Sequence, residues 1–373
     1  MSEEKQQEIM ISPDFYKIYM WEFNDDEEEV EIKISFPKTF NSKSIIYQLT
    51  PEKNAVNITI KGEIVPLVRS LLFGTISEVN VTRSDTQFTL CLTKEKPGAW
   101  ELPFTDVHPS FGDADPQTCF ILFHFLITKG DQDRAIDFLN KSANFGYLPA
   151  IETIIENTKQ FLSNEDLPQN DRIQIFSTIT NLYDVGVNKY HDPKFALKSG
   201  MFLLQNGVES ASVLEIFQIA CNAGVSEGFT FQGIAVSPLS QYGFEVKDAK
   251  LAVKLFSKAL DFDKDEPLAN HFLAMHLYNG IGVEKDVKRA KALQENAVKK
   301  IPTLEPLKTV TIEGEKEEHY EHNEIALKDN SERDNDNVKK ESKGTKIGLI
   351  IGGAIVAVAA GVSIYNFMRR RNH

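Results

Sequence analysis

The C-terminal end of the chain carries one long apolar segment, residues 347–368, which reads IGLIIGGAIVAVAAGVSIYNFM and contains no charged side chain. The hydrocarbon core of a bilayer is about 30 Å thick, and roughly 20 apolar residues cross it as a helix. The segment therefore predicts a single transmembrane helix. The alternative is a buried core helix, but such a helix rarely lacks polar positions over this length. Because only a short basic tag, residues 369–373, follows, we expect a tail anchor. The polar, acidic N-terminus shows no secretory signal, so we expect the large N-terminal part in the cytosol.

Two features of this segment bear on its membrane and its packing. Its hydrophobicity is moderate, and three cations follow it, Arg369, Arg370 and Arg371. Tail anchors of this kind resemble those of mitochondrial-type outer membranes, with the endoplasmic reticulum as the alternative. Small residues also recur along the helix, and these let helices pack closely in lipid, although glycine is common in spanning helices generally. They are Gly348, Gly352, Gly353, Ala357 and Gly361.

Within residues 13–108, several runs place apolar side chains at every second position, which is the period of a β-strand. One run alternates from Val30 to Phe36, a second from Val56 to Ile60 and a third from Phe88 to Leu92, and turn residues separate them. Several short alternating strands with this spacing predict a β-sandwich. Residues 1–12 precede it as an N-terminal tail.

Four stretches in this region also resemble a known family. They are Tyr19-x-Trp21, EVEIKISFP, ITIKGE and FTLCLTKEKPGAWELP. In this order they resemble a CS domain, the α-crystallin-like sandwich of NudC-type and Sgt-type co-chaperones. The resemblance implies a module that binds unfolded clients or the large ATP-dependent heat-shock chaperones and that carries out no catalysis.

An acidic run occupies the first predicted turn of this sandwich. It consists of Asp25, Asp26, Glu27, Glu28 and Glu29. An isolated charge run is most often a solvated loop. The alternative is a dock for basic peptides, which the formal net charge of -13 would attract. The same net charge argues against nucleic-acid binding, which requires a basic face.

From about residue 113 to residue 302 the apolar period becomes helical. The segment FEVKDAKLAVKLFSKAL aligns with GVEKDVKRAKALQENAV, so that Asp248 matches Asp286 and Ala252 matches Ala290. A third copy starts at Asp192. A helix-pair repeat with the spacing between Asp248 and Asp286 predicts a stacked α-solenoid of about five pairs. The run LAMHLYNGIGVEKDVKRA closely resembles a Sel-like repeat, a variant of the tetratricopeptide repeat, which implies binding of peptides or proteins along a concave surface.

The remaining segments give no sign of catalysis. Residues 303–346 are polar, charged and without apolar periodicity, which predicts a disordered linker. The three cysteines form no C-x-x-C pair, and His271 and His276 are expected to be packing residues, so we predict no metal site and no cofactor. The pair Gly280 and Gly282 predicts a tight turn and not a phosphate loop. The chain is therefore predicted not to be an enzyme.

The complete predicted architecture is a CS-like β-sandwich, an α-solenoid, a disordered linker and a single C-terminal transmembrane helix. It resembles the tail-anchored receptors for protein import in the outer membrane of hydrogenosomes, which are anaerobic relatives of mitochondria. The resemblance implies binding of precursor proteins or unfolded clients, cytosolic heat-shock chaperones, outer-membrane translocase subunits and membrane lipid. Two alternatives remain open, a membrane-tethered co-chaperone without a role in import and a scaffold anchored in the endoplasmic reticulum.

Overall fold

The structure is a computed structural model that describes residues 21–310, apart from positions 64, 165, 243, 245 and 246. Strands come first and helices follow, which confirms the predicted order of a β-sheet region and a helical repeat solenoid. The chain divides into two compact units, whose described residues are 21–191 and 192–310. No helix in this described part is long and apolar enough to span a bilayer. The predicted transmembrane helix, 347–368, lies outside the described residues.

The first unit begins with eight strands in two antiparallel sheets of four. The strands are β1 (Trp21–Asp25), β2 (Glu29–Ser35), β3 (Ile45–Leu49), β4 (Ala55–Ile60), β5 (Val68–Leu72), β6 (Ile76–Arg83), β7 (Gln87–Lys94) and β8 (Phe104–Asp106). The strand order is β1-β2-β7-β6 in one sheet and β3-β4-β5-β8 in the other. Buried side chains of both sheets form one continuous apolar core, so the two sheets make a sandwich.

The period-two pattern predicted the inward-facing positions correctly. Val30, Ile32 and Ile34 of β2 are fully buried, and they lie opposite Leu92, Leu90 and Phe88 of β7. Side chains alternate between the two faces of a strand, so these residues all reach the same face. Each fully buried side chain of this size contributes about 1.5–3 kcal/mol relative to exposure.

Ten α-helices follow within the described residues. They are α1 (Pro116–Thr128), α2 (Gln132–Asn144), α3 (Leu148–Leu162), α4 (Gln169–Asp184), α5 (Pro193–Gln205), α6 (Ala211–Asn222), α7 (Ser226–Val236), α8 (Ala249–Phe262), α9 (Pro267–Asn279) and α10 (Val287–Lys300). A short π-helical segment, Val185–Lys189, follows α4. Consecutive helices pack within each unit, as a helical repeat requires.

Four of these helices begin in the same way. Each has an aspartate N-cap whose carboxylate accepts a hydrogen bond from a backbone N–H of the first turn, and four residues later a fully buried alanine. The pairs are Asp131 and Ala135 (α2), Asp192 and Ala196 (α5), Asp248 and Ala252 (α8), and Asp286 and Ala290 (α10). Alanine allows neighbouring helices to approach closely. The repeat predicted from the last three pairs is therefore confirmed, and α2 adds a fourth copy.

A buried carboxylate joins the sandwich to the first helix within the first unit. Asp115, the N-cap of α1, accepts a hydrogen bond from the backbone N–H of Thr118 at 2.9 Å and another from that of Arg69 in β5 at 2.8 Å. Gln117 donates to the Trp21 carbonyl at 2.8 Å. Burial raises the pKa of Asp115 to about 6, against the opposing effect of these hydrogen bonds.

Candidate protein-binding surfaces

The acidic run forms the turn between β1 and β2. Asp25 is the last residue of β1, Glu29 is the first residue of β2, and the residues between them make the connection. The Asp26 carboxylate accepts hydrogen bonds from the backbone N–H groups of Glu28 and Glu29, both at 2.8 Å. These hydrogen bonds favour the ionised form and lower the pKa of Asp26. One acid of the run therefore shapes the turn itself.

A buried cation holds this turn in place. The Lys94 side chain at the end of β7 is 0% exposed, and its ammonium lies 2.9 Å from Asp25 Oδ1. It also donates to the carbonyl oxygen of Gly98 at 2.8 Å and to that of Asp26. The ammonium lies 4.8 Å from the centre of the Trp100 ring. A buried charge requires this kind of pairing and hydrogen bonding. We call this group of five residues the Lys94 clamp.

The five predicted docking acids thus differ in what they do. Asp25 pairs with Lys94 and also accepts a hydrogen bond from the Trp100 backbone N–H at 3.2 Å. Asp26 organises the turn, and Glu29 is half-buried in β2, whereas Glu27 and Glu28 are exposed. The peptide-dock hypothesis stays a prediction, and the structure directs it to Glu27 and Glu28.

An exposed aromatic side chain lies at the same end of the sandwich. Phe73, which follows β5, is 57% exposed, and its ring centre lies 5.9 Å from that of Trp100. Gly74 packs against the Trp100 ring so closely that a Cβ there would lie 2.9 Å from an indole carbon. The sequence did not single out Phe73, because residues 66–73 fit the CS-domain pattern loosely. The signal that could have found it is a large aromatic residue directly before a turn glycine.

The C-terminal end of the solenoid binds a segment of the chain's own backbone. Asn279, the last residue of α9, donates to the Lys308 carbonyl at 3.1 Å and accepts from the Val310 N–H at 2.9 Å. Gln294 of α10 donates to the Glu305 carbonyl at 2.9 Å. Leu307 packs against the apolar core of this unit.

These contacts involve the start of the predicted linker. The lack of periodicity predicts a disordered linker over residues 303–346. Within it, residues 305–310 are held by side-chain amides and by one apolar contact, which periodicity does not reveal. Residues 311–346 lie outside the described residues.

A groove of about 470 Å³ lies beside the α6–α7 turn. Phe262 of α8 is 54% exposed there, and its ring stacks on Phe229 with the ring centres 5.3 Å apart. The Lys258 ammonium lies 4.8 Å from the centre of the Phe229 ring. On the polar side, Gln218 donates to the Asn222 side-chain oxygen at 2.8 Å. The groove therefore offers an aromatic wall and an amide rim.

Both histidines predicted as packing residues are buried, which confirms that prediction. His276 Nδ1 lies 2.8 Å from the Ile281 carbonyl oxygen, and Nε2 lies 2.9 Å from Ser237 Oγ. Because a carbonyl can only accept, Nδ1 carries the proton and Nε2 accepts from the hydroxyl. Burial lowers the pKa of His276. This histidine fixes the turn after α9, where Gly280 adopts a left-handed φ of 73°.

The cysteines are free thiols rather than disulfide partners. Burial raises the pKa of Cys91 and Cys119, and it raises that of Cys221 to about 12, so all three stay protonated near neutral pH. No group of three or more histidine, cysteine, aspartate or glutamate side chains within the described residues could hold a metal ion.

The predicted membrane sites lie outside the described residues. These are the small-residue face, Gly348, Gly352, Gly353, Ala357 and Gly361, and the basic tag, Arg369, Arg370 and Arg371. Both stay predictions.

Comparisons with known proteins give structural neighbours but no family assignment. No protein-family model matches the chain, and no curated protein matches it significantly. One solved structure that resembles the chain is a protective antigen of uropathogenic Escherichia coli with an SLR fold. It is 21% identical, with a TM-score of 0.39, and the match covers 51% of this chain and 39% of the antigen chain. A Sel1 repeat protein from Oxalobacter formigenes is 15% identical with a TM-score of 0.38, covering 50% and 74%.

A third neighbour is the nuclear movement protein from E. cuniculi, which is 14% identical with a TM-score of 0.19 and covers 23% of this chain and 98% of its own. The class of the chain is defined by its own elements, a β-sheet region followed by a helical repeat solenoid.

Proposed function

We propose that this chain is a non-enzymatic receptor that binds other polypeptides, and that it acts as a cytosol-facing, tail-anchored import receptor. In this role it captures precursor proteins, with or without heat-shock chaperones, for an outer-membrane translocase. The observation that carries the proposal is the backbone segment held by Asn279 and Gln294 at the end of the solenoid.

The chemistry of that contact suits a receptor for many different clients. A carboxamide carries one acceptor and one donor group, so it pairs with a peptide group whatever side chain is attached. Asn279 uses both functions on one segment of main chain. The groove beside Phe262 adds an aromatic wall close to further amides. A client segment would reach these amides by displacing residues 305–310. Binding at the groove as well would then add affinity through effective concentration.

Titration of the full-length chain in an uncharged detergent tests this proposal. The ligands are a labelled organelle precursor and, as a control, a cytosolic protein of similar size. We expect micromolar affinity for the precursor, weaker binding of the control, and slower association as salt rises, because the net charge of -13 attracts basic targeting segments. Equal binding of both ligands would indicate a general holdase, and binding of neither would remove the receptor function.

Identification of partners separates import from its alternatives. Purification of the tagged full-length chain from membranes should recover a β-barrel channel. Recovery of heat-shock chaperones alone would indicate the tethered co-chaperone, and recovery of degradation components would indicate a scaffold of the endoplasmic reticulum.

A further inference from the structure

Three turns meet at one end of the sandwich and present an apolar surface there. The Lys94 backbone N–H donates to the Glu28 carbonyl at 2.8 Å, the Gly98 N–H to the Glu27 carbonyl at 2.7 Å, and the Glu95 N–H to the Thr75 carbonyl at 3.0 Å. Phe73 projects from this junction with 57% of its surface exposed. We call Phe73 and the neighbouring ring of Trp100 the aromatic patch.

The charge around the aromatic patch is predominantly negative. Glu27, Glu28 and Glu95 are exposed in these turns, where Lys96 is an exposed cation. Lys53, which donates to the Ser77 carbonyl at 2.8 Å, is a second exposed cation beside them. The Lys94 charge is buried and paired with Asp25. A ligand that covers Phe73 therefore lies beside more negative than positive charge.

The Lys94 clamp fixes the shape of this surface before any ligand arrives. Its ammonium binds the Asp25 carboxylate and the Asp26 carbonyl oxygen in one turn and the Gly98 carbonyl oxygen in another. Buried ion pairs are weak contributors to stability compared with apolar packing of similar volume. A rigid turn does, however, reduce the entropy lost when a ligand binds. The turn that carries Glu27 and Glu28 is therefore held in one shape for a ligand.

From these observations we infer that the aromatic patch, with Glu27 and Glu28, binds a short polypeptide segment that carries basic side chains next to apolar ones. The apolar side chains cover Phe73, and the basic side chains pair with the glutamates. Arginine and lysine also gain from the negative face of an aromatic ring. Anionic lipid surfaces and acidic peptides are disfavoured because they face like charge. The chemistry of the bound segment follows from the aromatic patch and the glutamates. Its origin in a precursor protein rests on the proposed function.

The test measures binding of synthetic peptides to the full-length chain in an uncharged detergent, with empty micelles as background. The probe is a fluorescein-labelled peptide of leucine and arginine. One companion peptide replaces arginine with glutamate, and another replaces leucine with serine. The site variants are E27Q/E28Q and F73S, all at exposed positions.

Matched controls lie at the opposite end of the sandwich. Glu29 pairs with Thr93 while Ser35 pairs with Gln87, so Asp85 in the β6–β7 turn is remote from the patch. Ile60 pairs with Ile45, which places Glu63 at that far end as well. The charge control is E63Q/D85N. The apolar control is I46S, because Ile46 is likewise exposed on β3.

We expect the leucine–arginine peptide to bind and both companion peptides to bind weakly. An exposed charge pair contributes about 0.2–1 kcal/mol, so loss of two pairs in E27Q/E28Q should weaken binding about twofold to thirtyfold and reduce its salt dependence. F73S should weaken it by a similar factor, and both controls should bind as the unaltered chain does. Unaltered binding by the site variants, or equal binding of the glutamate companion, would overturn the inference.

The result also separates this inference from the proposed function. If precursor binding persists in E27Q/E28Q and F73S, the receptor function stands and this surface is not its site. If no precursor binds but the peptide pattern holds, the surface is a real basic-peptide site and the import function fails.

Discussion

Replacement of Lys94 by methionine should destabilise the sandwich more than any exposed substitution. Methionine keeps the apolar stem but removes the ammonium, and with it the ion pair to Asp25 and the hydrogen bonds to two carbonyl oxygens. The Asp25 side chain, 12% exposed, is then left without its cation. Removing one partner of a buried pair costs about 3–5 kcal/mol, and we expect K94M to lie in this range.

Intrinsic fluorescence isolates this effect from the solenoid. The chain has two tryptophans, Trp21 and Trp100, and both lie in the sandwich region. Denaturant unfolding followed at tryptophan emission therefore reports on this region, and Trp100 contacts the clamp directly. The change in midpoint multiplied by the slope gives the loss in free energy of unfolding.

A double-mutant cycle tests the electrostatic part of the reasoning. D25N removes the negative charge, and the double variant K94M/D25N leaves neither charge buried. The double variant should therefore lose less than the sum of the two single losses, by about 1–3 kcal/mol. A loss below about 1 kcal/mol for K94M, or strict additivity, would show that Lys94 and Asp25 do not stabilise the sandwich as a buried ion pair.

Three further predictions concern other parts of the chain. G282A should lower the melting temperature of the helical signal more than G207A, although both glycines have a left-handed φ. A Cβ at Gly282 would lie 2.4 Å from the Ala249 carbonyl carbon, whereas a Cβ at Gly207 would have nothing within 4 Å. Equal shifts would contradict this. Since burial lowers the pKa of His276, this side chain takes up a proton at a higher pH in the unfolded chain than in the folded chain. The stability of the helices should therefore be complete above about pH 6.5 and fall below that pH. The fall should be smaller in H276Q. A fluorescent protein fused to residues 346–373 should reach the organelle outer membrane. Replacing residues 369–371 by serine should divert part of the fusion protein to the endoplasmic reticulum, and normal targeting of this variant would refute the charge argument.

Much of the fold follows from local patterns. The alternation in β2 and β7 identified their buried faces, because successive side chains of a strand point to opposite faces of the sheet. The repeated aspartate and alanine predicted helix starts and close-packed positions, since N-capping and the size of alanine are properties of a single turn. Gly280 likewise ends α9 in the left-handed conformation that glycine adopts without strain.

The candidate surfaces depend on contacts between residues that are distant in the sequence, and local sequence patterns do not predict such contacts. Five adjacent acids read as one charge run, yet Asp25 and Asp26 are fixed by Lys94 from another strand, and this leaves Glu27 and Glu28 exposed. Residues 305–310 have no apolar period and fall in the predicted linker, yet amides from two helices hold them. Periodicity is a property of the chain and determined its class of fold. Which charges are paired and which aromatic rings are exposed depends on packing between segments, and only the tertiary structure decided it.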